Sequence, residues 1–137
     1  MWVLFALLSA LFAALTSILA KIGMENIDSN LATAIRTVVI LLLSWGIVFC
    51  TGKQQSIMAL SHRNLLFLVL SGIATGLSWL CYFRALQIGE AVKVIPIDKF
   101  SAVLGMALAV IVLKEALTVK AIIGGALITI GTIVLIL

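Results

Sequence analysis

The chain has 137 residues, of which 64% are hydrophobic and only 10% are charged. Soluble domains are about a quarter charged and less than about half apolar, so this composition excludes a soluble globular enzyme and a disordered chain. The net charge of +4 comes from scattered single residues, which leaves no basic patch for a phosphate backbone and excludes a nucleic-acid-binding domain. The composition therefore predicts an all-α integral membrane protein that lies in a lipid bilayer.

Five apolar segments are each long enough to cross a bilayer, since a membrane-spanning helix needs roughly 20 mostly apolar residues. The first segment has no basic stretch before it and exceeds the apolar core of a signal peptide, so we predict that it is a retained helix. The chain is then predicted to be one domain, 1–137, folded as a five-transmembrane-helix bundle. The helices are predicted at 2–20, 31–50, 65–84, 92–113 and 119–137.

Two of the predicted helices contain features that affect their course. Asp28, Ser29 or Asn30 can cap the second helix, because a short polar side chain there accepts hydrogen bonds from free backbone N–H groups. Pro96 lies inside the fourth helix, where it removes a backbone donor and crowds the preceding turn. We therefore predict that the fourth helix is broken or bent near Pro96, over residues 92–95.

Three charged residues fall inside predicted spans, where ionisable groups are rare and indicate a functional site by default. Arg36 lies near the start of the second helix, and Asp98 and Lys99 lie early in the fourth. Both helices start from the same side of the membrane, so the three charges are expected at similar depth and could form one cluster. The alternative is that Arg36 and Lys99 extend to the interface and that Asp98 merely pairs with one of them.

The face of the fourth helix that carries Asp98 is small and polar. Helical periodicity places Ser101, Ala102, Gly105 and Ala109 on that face, as a cavity lining would require. Ser101 therefore joins the three charged residues as a candidate for substrate binding. The basic groups and helix N-termini on this side favour a ligand with a carboxylate, such as an amino acid, over a simple cation.

Aromatic residues provide further candidates for the site. Trp79 and Tyr82 lie toward the same end of the third helix, close in sequence to Ser78. They are predicted to wall the substrate site. The alternative is an interfacial aromatic belt, which places such amphipathic rings at the level of the lipid headgroups.

No residues are arranged for catalysis, for a cofactor or for a metal ion. His62 stands alone in a connection, without a serine, cysteine or carboxylate at a telling spacing. Cys50 and Cys81 lie in apolar runs and are predicted to be small core residues rather than a disulfide or metal pair. We therefore expect no enzyme activity, no cofactor and no metal site.

Small residues recur at helical spacing on two of the predicted helices. Gly72 and Gly76 share a face of the third helix, and Gly124, Gly125 and Gly131 lie on the fifth. In lipid, such residues let two helix backbones approach closely, and this packing drives association. The two stripes are predicted to pack helices within the chain or, alternatively, to form a dimer face.

The basic residues are divided almost evenly between the two sides of the predicted bundle. Cytoplasmic loops normally carry an excess of Lys and Arg, and this excess sets the orientation of a membrane protein. Without it, either insertion depends on other factors or the chain has dual topology, with copies inserted both ways. One side has Lys53, Arg63, Lys114 and Lys120, whereas the other has Lys21, Arg36, Arg84 and Lys93, with Lys99 added if it is counted.

Two stretches of the chain resemble motifs of a known family. The run Phe83–Ala91, followed by Pro96, is similar to the junction of the third and fourth helices in EamA-type proteins of the drug/metabolite transporter superfamily. Leu113–Thr118 and then Ile123–Gly131 resemble the motif of the family's last helix, with its Glu and its closing Gly. The order and spacing of these motifs identify the chain as a single-domain member of the family.

The resemblance implies a multi-pass carrier for small metabolites in the inner (plasma) membrane, working by alternating access. Most family members have two five-helix repeats of opposite orientation, so a lone repeat implies a homodimer, and the balanced charges would suit an antiparallel one. The related small multidrug resistance proteins carry an essential Glu in the first helix. The first helix here has no acid, so export of cationic drugs is not supported. Ile97–Phe100 departs from the family, whose members are uncharged there.

The leading hypothesis is a secondary transporter of small polar metabolites, amino acids among them. In it, Arg36 and Lys99 hold the negative group of the substrate, and Asp98 binds its amine or exchanges a proton. The alternative hypothesis is a non-transporting accessory or structural subunit. Such a subunit would pair with another half-transporter through its glycine stripes.

Overall fold

A computed structural model describes residues 1–137, and every regular element in it is helical. Five segments are long and apolar enough to cross a membrane, as predicted, and the fourth, Ala91–Val112, consists of two shorter helices. A short 3₁₀-helix, Lys53–Ala59, precedes the third span. The α-helices are α1 (Trp2–Gly23), α2 (Ser29–Cys50), α3 (His62–Ile88), α4 (Ala91–Asp98), α5 (Ser101–Val112) and α6 (Val119–Ile136).

The large apolar side chains of these helices point outward. At most 11% of the most apolar stretch of each span is buried inside the protein. An exposed apolar surface of this extent is unfavourable in water, and a lipid bilayer removes the cost. Helices suit that environment because they satisfy their own backbone hydrogen bonds where no water is present. The fold is therefore that of an all-α integral membrane protein, as the composition predicted.

The start and the end of α2 are fixed by local chemistry. Asp28 is the residue that caps it, and its Oδ1 accepts hydrogen bonds from the backbone N–H groups of Asn30 at 2.9 Å and Leu31 at 3.2 Å. The cap satisfies two donors that have no partner inside the helix. At the other end, Gly52 has a φ of +67°, a left-handed conformation that glycine adopts without strain.

The fourth span is broken near Pro96, but on the other side of the proline from the predicted place. We expected the break over residues 92–95, whereas α4 continues through Pro96 to Asp98 and the interruption lies at Lys99 and Phe100. The N–H of Lys99 donates to the carbonyl of Pro96, and that of Phe100 to Ile97, both at 3.0 Å. These bonds reach back three residues instead of four, so the chain tightens into a 3₁₀-type turn after the proline.

The chain divides into two compact units. Unit 1 comprises Met1–Ile18 and Ile88–Leu137. Within it, α6 packs against both α4 and α5. Gly125 of α6 is buried, and a Cβ atom added there would lie 3.1 Å from Cε of Met106 on α5. Part of the glycine stripe on α6 therefore packs helices within the chain.

Unit 2 comprises Leu19–Gln87. Its buried side chains lie at the end of α1, the start of α2 and the C-terminal part of α3, where Leu86 is fully buried. The hydroxyl of Thr33 is buried too, and it donates to the carbonyl of Ser29 at 2.7 Å. This small core fixes the ends of three helices around the C-terminal part of α3, which carries the aromatic candidates. The residues are Ala20, Met24, Ser29, Ala32, Thr33, Phe83 and Leu86.

Candidate functional site

The main feature of unit 2 is a guanidinium group that lies over aromatic rings. Cζ of Arg36, on α2, is 4.0 Å from the centroid of the Phe83 ring and 5.9 Å from that of Trp79, both on α3. Its Nη1 atom is buried and has no hydrogen-bond partner in the protein. A cation is attracted to the negative face of an aromatic ring at these distances. The two helices thus hold a positive charge between them with a donor atom free.

The rings around this guanidinium contact one another edge to face. The centroids of Tyr82 and Phe83 are 5.1 Å apart with the planes at 70°, and those of Trp79 and Phe83 are 6.5 Å apart at 69°. Trp79 and Phe83 are four residues apart and therefore share a face of α3. We call Arg36, Trp79, Tyr82 and Phe83 the Arg36 cluster. It brings together three predicted site residues and one that the sequence did not indicate.

No acidic side chain of unit 2 neutralises Arg36. The acids of this unit are Glu25 and Asp28, and neither forms an ion pair with the guanidinium. Asp28 is already engaged as the cap of α2. A charge inside a membrane span is costly and normally pairs with an opposite charge or lines a polar cavity. The Arg36 cluster is therefore chemically suited to bind an anion.

Unit 1 contains the other charged candidates. Nζ of Lys99 lies 3.3 Å from Oδ2 of Asp98, and the side chains are 57% and 33% exposed. This pairing corresponds to the alternative in which Asp98 pairs with a basic neighbour. Both residues lie at the break between α4 and α5, and Ser101 begins α5 with an exposed side chain. Arg36 belongs to the other unit, so its place in one charged cluster with Asp98 and Lys99 stays a prediction.

A hydrogen-bond network at the end of α3 was not predicted. Nζ of Lys21 donates to the carbonyl oxygens of Leu86, at 2.5 Å, and Gln87, at 3.3 Å. Nε2 of Gln87 donates to the carbonyl of Ile27 at 2.6 Å, and its Oε1 accepts from Nη1 of Arg84 at 2.9 Å. The network ties the turn between α1 and α2 to α3, one turn beyond Phe83. In the sequence, the only indication is the occurrence of basic and amide side chains near helix ends.

Two cavities are formed by residues of a single unit each. The cavity of unit 1, about 420 Å³, lies between α5 and α6 and has a mostly apolar lining that includes Met106 and Gly125. Such a groove suits hydrocarbon rather than a polar ligand. The cavity of unit 2, about 450 Å³, lies by the turn between α1 and α2 and is more polar. Its lining residues are Lys21, Ile22, Met24, Glu25, Asn26 and Gln87.

The remaining reactive side chains are scattered. No group of three or more His, Cys, Asp or Glu residues is placed to hold a metal ion. Cys50 and Cys81 are free thiols with exposed positions. We predicted them as core residues, and they instead lie on the outer surface of the helices, where a small apolar side chain can face lipid.

Comparison with known proteins assigns the chain to a family. The model of the EamA-like transporter family matches residues 1–137. A protein of Sinorhizobium sp., named an uncharacterized transporter in the cobO 3′ region, is 48% identical over 134 residues, which cover 98% of this chain and 95% of that protein. An uncharacterized protein of Methanocaldococcus jannaschii is 29% identical over 139 residues, covering 97% of this chain and 94% of that protein.

No solved structure matches the chain. The family match agrees with the five apolar spans. Members of this family are transporters and not enzymes. The chain belongs to the EamA-like transporter family and is a multi-pass membrane transporter.

Proposed function

We propose that the protein is a secondary transporter that carries small polar metabolites with a carboxylate group, amino acids among them, across the inner (plasma) membrane. The observation that carries this proposal is the Arg36 guanidinium, which is held inside a membrane span with Nη1 buried and without a partner. A substrate carboxylate would supply the missing opposite charge. Trp79 and Tyr82 would wall the same site.

The Asp98–Lys99 pair in unit 1 is the second candidate for substrate contact. A zwitterion can replace the contact within such a pair, because its ammonium group can bind Asp98 while its carboxylate binds Lys99. The net charge of the site then stays the same. The partial exposure of both side chains supports this exchange, since neither is locked in a core. Ser101 starts the next helix and would offer a hydroxyl to the same ligand.

Alternating access is the mechanism that we propose, with two copies of the five-helix unit forming the working transporter. The matched relatives are covered over 95% and 94% of their own lengths, so they too are about one five-helix unit long. An antiparallel homodimer is favoured by the even division of Lys and Arg between the two sides of the spans. Reporters fused to the C-terminus that are active on one side only would test this: reports from both sides support dual topology, and one-sided reports contradict it.

Transport is tested with purified protein in proteoliposomes, by measuring uptake of the 20 standard amino acids. Competition by L-serine, ethanolamine and 3-hydroxypropanoate then shows which charged group the protein recognises. All three compounds have a hydroxyl, but L-serine has both an amine and a carboxylate, ethanolamine only the amine and 3-hydroxypropanoate only the carboxylate. We expect the zwitterion to be taken up, 3-hydroxypropanoate to compete because it keeps the carboxylate, and ethanolamine to compete weakly because it lacks one.

The matched variants for this experiment are Arg36→Ala and Arg63→Ala. Arg63 also lies over a ring, with Cζ 5.9 Å from the Phe67 centroid, but it is exposed at the start of α3. We expect Arg36→Ala to abolish uptake and Arg63→Ala to retain it. If the folded Arg36→Ala protein moves every substrate that the wild type moves, the site assignment is wrong.

A second candidate function is a non-transporting subunit that pairs with a different half-transporter. It is favoured by the open faces of several glycines, since a Cβ atom added to Gly72, Gly76, Gly124 or Gly131 would meet no atom within 4 Å. Purification in mild detergent separates the two candidates. A stable complex with another five-helix protein, together with no uptake by the isolated chain, would favour the subunit.

A further inference from the structure

Phe83 has an unusual environment for a buried aromatic residue in a membrane span. The residue is only 2% exposed, yet a charged guanidinium lies over its ring, with Cζ of Arg36 4.0 Å from the centroid. Trp79 and Tyr82 both contact the same ring edge to face. Phe83 therefore contacts Arg36 through the face of its ring, and the two neighbouring rings restrict its orientation.

This arrangement limits the directions in which Arg36 can bind a ligand. Cζ of Arg36 lies 4.0 Å from the centroid of the Phe83 ring, so the ring occupies one side of the guanidinium, and Nη1 is buried without a hydrogen-bond partner. A guanidinium binds a carboxylate through two parallel N–H···O bonds in its own plane. Fixing the orientation of the group in advance reduces the entropy lost when the ligand binds.

We propose that Phe83 is a specificity-determining residue, which holds the Arg36 guanidinium so that its free edge selects a single carboxylate group. The inference rests on the proposed function, and it narrows the substrates of the Arg36 cluster to monocarboxylates. Phe83 acts through Arg36 and is a positioning residue.

The charge of the cluster explains why a monocarboxylate is preferred over other ions. Arg36 is the only charged member of the cluster, so one carboxylate makes the bound state neutral. A phosphate group carries about −1.5 to −2 charges at pH 7 and would leave an excess negative charge among the rings. A cationic ligand would be repelled by Arg36. Inside a membrane span an uncompensated charge is strongly disfavoured, so these differences are larger there than at a wet surface.

Binding can be measured without transport, through the ligand-dependent rise in the thermal unfolding midpoint of the purified chain in detergent. The probes are sodium acetate, sodium phosphate and ethylammonium chloride, compared at pH 8, where phosphate is mainly a dianion, and at equal ionic strength set with sodium chloride. For wild type we expect a saturable rise with acetate and a much smaller one with phosphate or ethylammonium. A phosphate response as strong as that of acetate would overturn the proposal without any variant.

The variants that isolate the ring are Phe83→Leu and Phe83→Tyr, with Phe67→Leu as the matched control. Phe67 is an exposed ring on the same helix, next to Arg63. We expect Phe83→Leu to weaken acetate binding by about 3- to 10-fold, because an Arg36 side chain that is no longer held in one orientation loses more entropy when the ligand binds. Phe83→Tyr keeps the ring face and should stay within about twofold of wild type, as should Phe67→Leu.

The readout that separates positioning from mere packing is the ratio of acetate to phosphate affinity. If Phe83 positions Arg36, Phe83→Leu lowers this ratio, and Arg36→Lys removes most of the effect of a second Phe83→Leu substitution. If the ratio is unchanged in Phe83→Leu, the proposal is wrong. Should that variant fail to unfold cooperatively, Phe83→Met provides the same comparison with a flexible side chain of similar volume.

Failure of this inference and failure of the proposed function give different results. Acetate binding that depends on Phe83, without uptake by wild type in proteoliposomes, would contradict the transporter mechanism and leave the role of Phe83 intact. If wild type takes up carboxylates but Phe83→Leu has the same ratio of acetate to phosphate affinity, the role of Phe83 is contradicted and the transporter function stands.

Discussion

The ammonium group of Lys21, near the end of α1, lies 2.5 Å from the carbonyl oxygen of Leu86 at the end of α3. The last carbonyls of a helix have no partner within it and carry a partial negative charge, so a cation placed there is favourable. Lys21 also donates to the carbonyl of Gln87. A side chain from one span thus completes the hydrogen bonding of another, next to the fully buried Leu86.

Lys21→Met should destabilise the protein, because it removes a charged donor while leaving the apolar stem of the side chain. Hydrogen bonds to charged groups contribute about 1.5–3 kcal/mol, so we expect a loss of about that size in the free energy of unfolding. The measurement is thermal or denaturant unfolding in detergent. Lys53→Met is the control, since Lys53 is exposed at the start of the 3₁₀-helix and should change stability by less than about 0.5 kcal/mol. Equal effects of the two substitutions would show that Lys21 does not cap α3.

The five spans could be predicted from sequence because lipid imposes a simple requirement. Each span needs a long apolar run, and in this chain those runs are separated by clear polar breaks such as the one around Asp28. The cap of α2 was predictable for a similar reason, since capping depends on residues that are neighbours in the chain. Local chemistry was sufficient in both cases.

The composition of the Arg36 cluster could be predicted only in part. Arg36 stands out because it is a charge within an apolar run, whereas Phe83 is one apolar residue among many. That Phe83 lies under Arg36 depends on the register of α2 against α3, which no local pattern encodes. The position of the break in the fourth span was likewise not predictable from the local sequence. Pro96 indicates a disturbance, but its place at Lys99 and Phe100 depends on which carbonyls the following N–H groups reach.

Pro96→Ala should extend the helix through that break. The proline ring crowds the preceding turn and can kink the helix, which redirects the chain that follows; alanine removes the ring, so α4 and α5 are expected to merge. Hydrogen exchange at the amides of Lys99 and Phe100 should slow by about tenfold or more, which hydrogen–deuterium mass spectrometry can measure. Ile97→Ala is the control, because it shortens a neighbouring side chain and leaves the backbone donors unchanged. Unchanged exchange in Pro96→Ala would mean that packing, rather than the proline, sets the break.

The close approach of α5 and α6 can be tested with two adjacent glycines. Gly125→Val would place side-chain atoms against Cε of Met106, whereas Gly124→Val would extend into open space. Both changes have the same intrinsic effect on the helix, so their difference reports the contact. We expect Gly125→Val to be less stable than Gly124→Val by about 1–3 kcal/mol, the usual cost of overpacking. Met106→Ala should restore much of that loss in the double variant, and an equal stability of the two valine variants would show that the helices do not pack there.

Asp98→Asn separates a structural from a functional role of the ion pair with Lys99. Both side chains of the pair are partly exposed, so we expect removal of the charge to change the free energy of unfolding little. If Asp98 binds the amine of a zwitterionic substrate, however, KM for L-serine should rise by about tenfold or more, the effect of losing a charged hydrogen bond. Inhibition of uptake by 3-hydroxypropanoate, which has no amine, should be unaffected.

Glu90→Gln provides the matched comparison for Asp98→Asn, because it removes a carboxylate from a second ion pair in the same unit. Oε2 of Glu90 lies 3.6 Å from Nζ of Lys93, and both side chains are more exposed than those of Asp98 and Lys99. A general effect of negative charge on serine uptake would appear in both variants, whereas recognition of the amine would appear in Asp98→Asn alone. If serine and 3-hydroxypropanoate lose affinity together in Asp98→Asn, the carboxylate acts by holding Lys99 in place, and the amine is bound elsewhere.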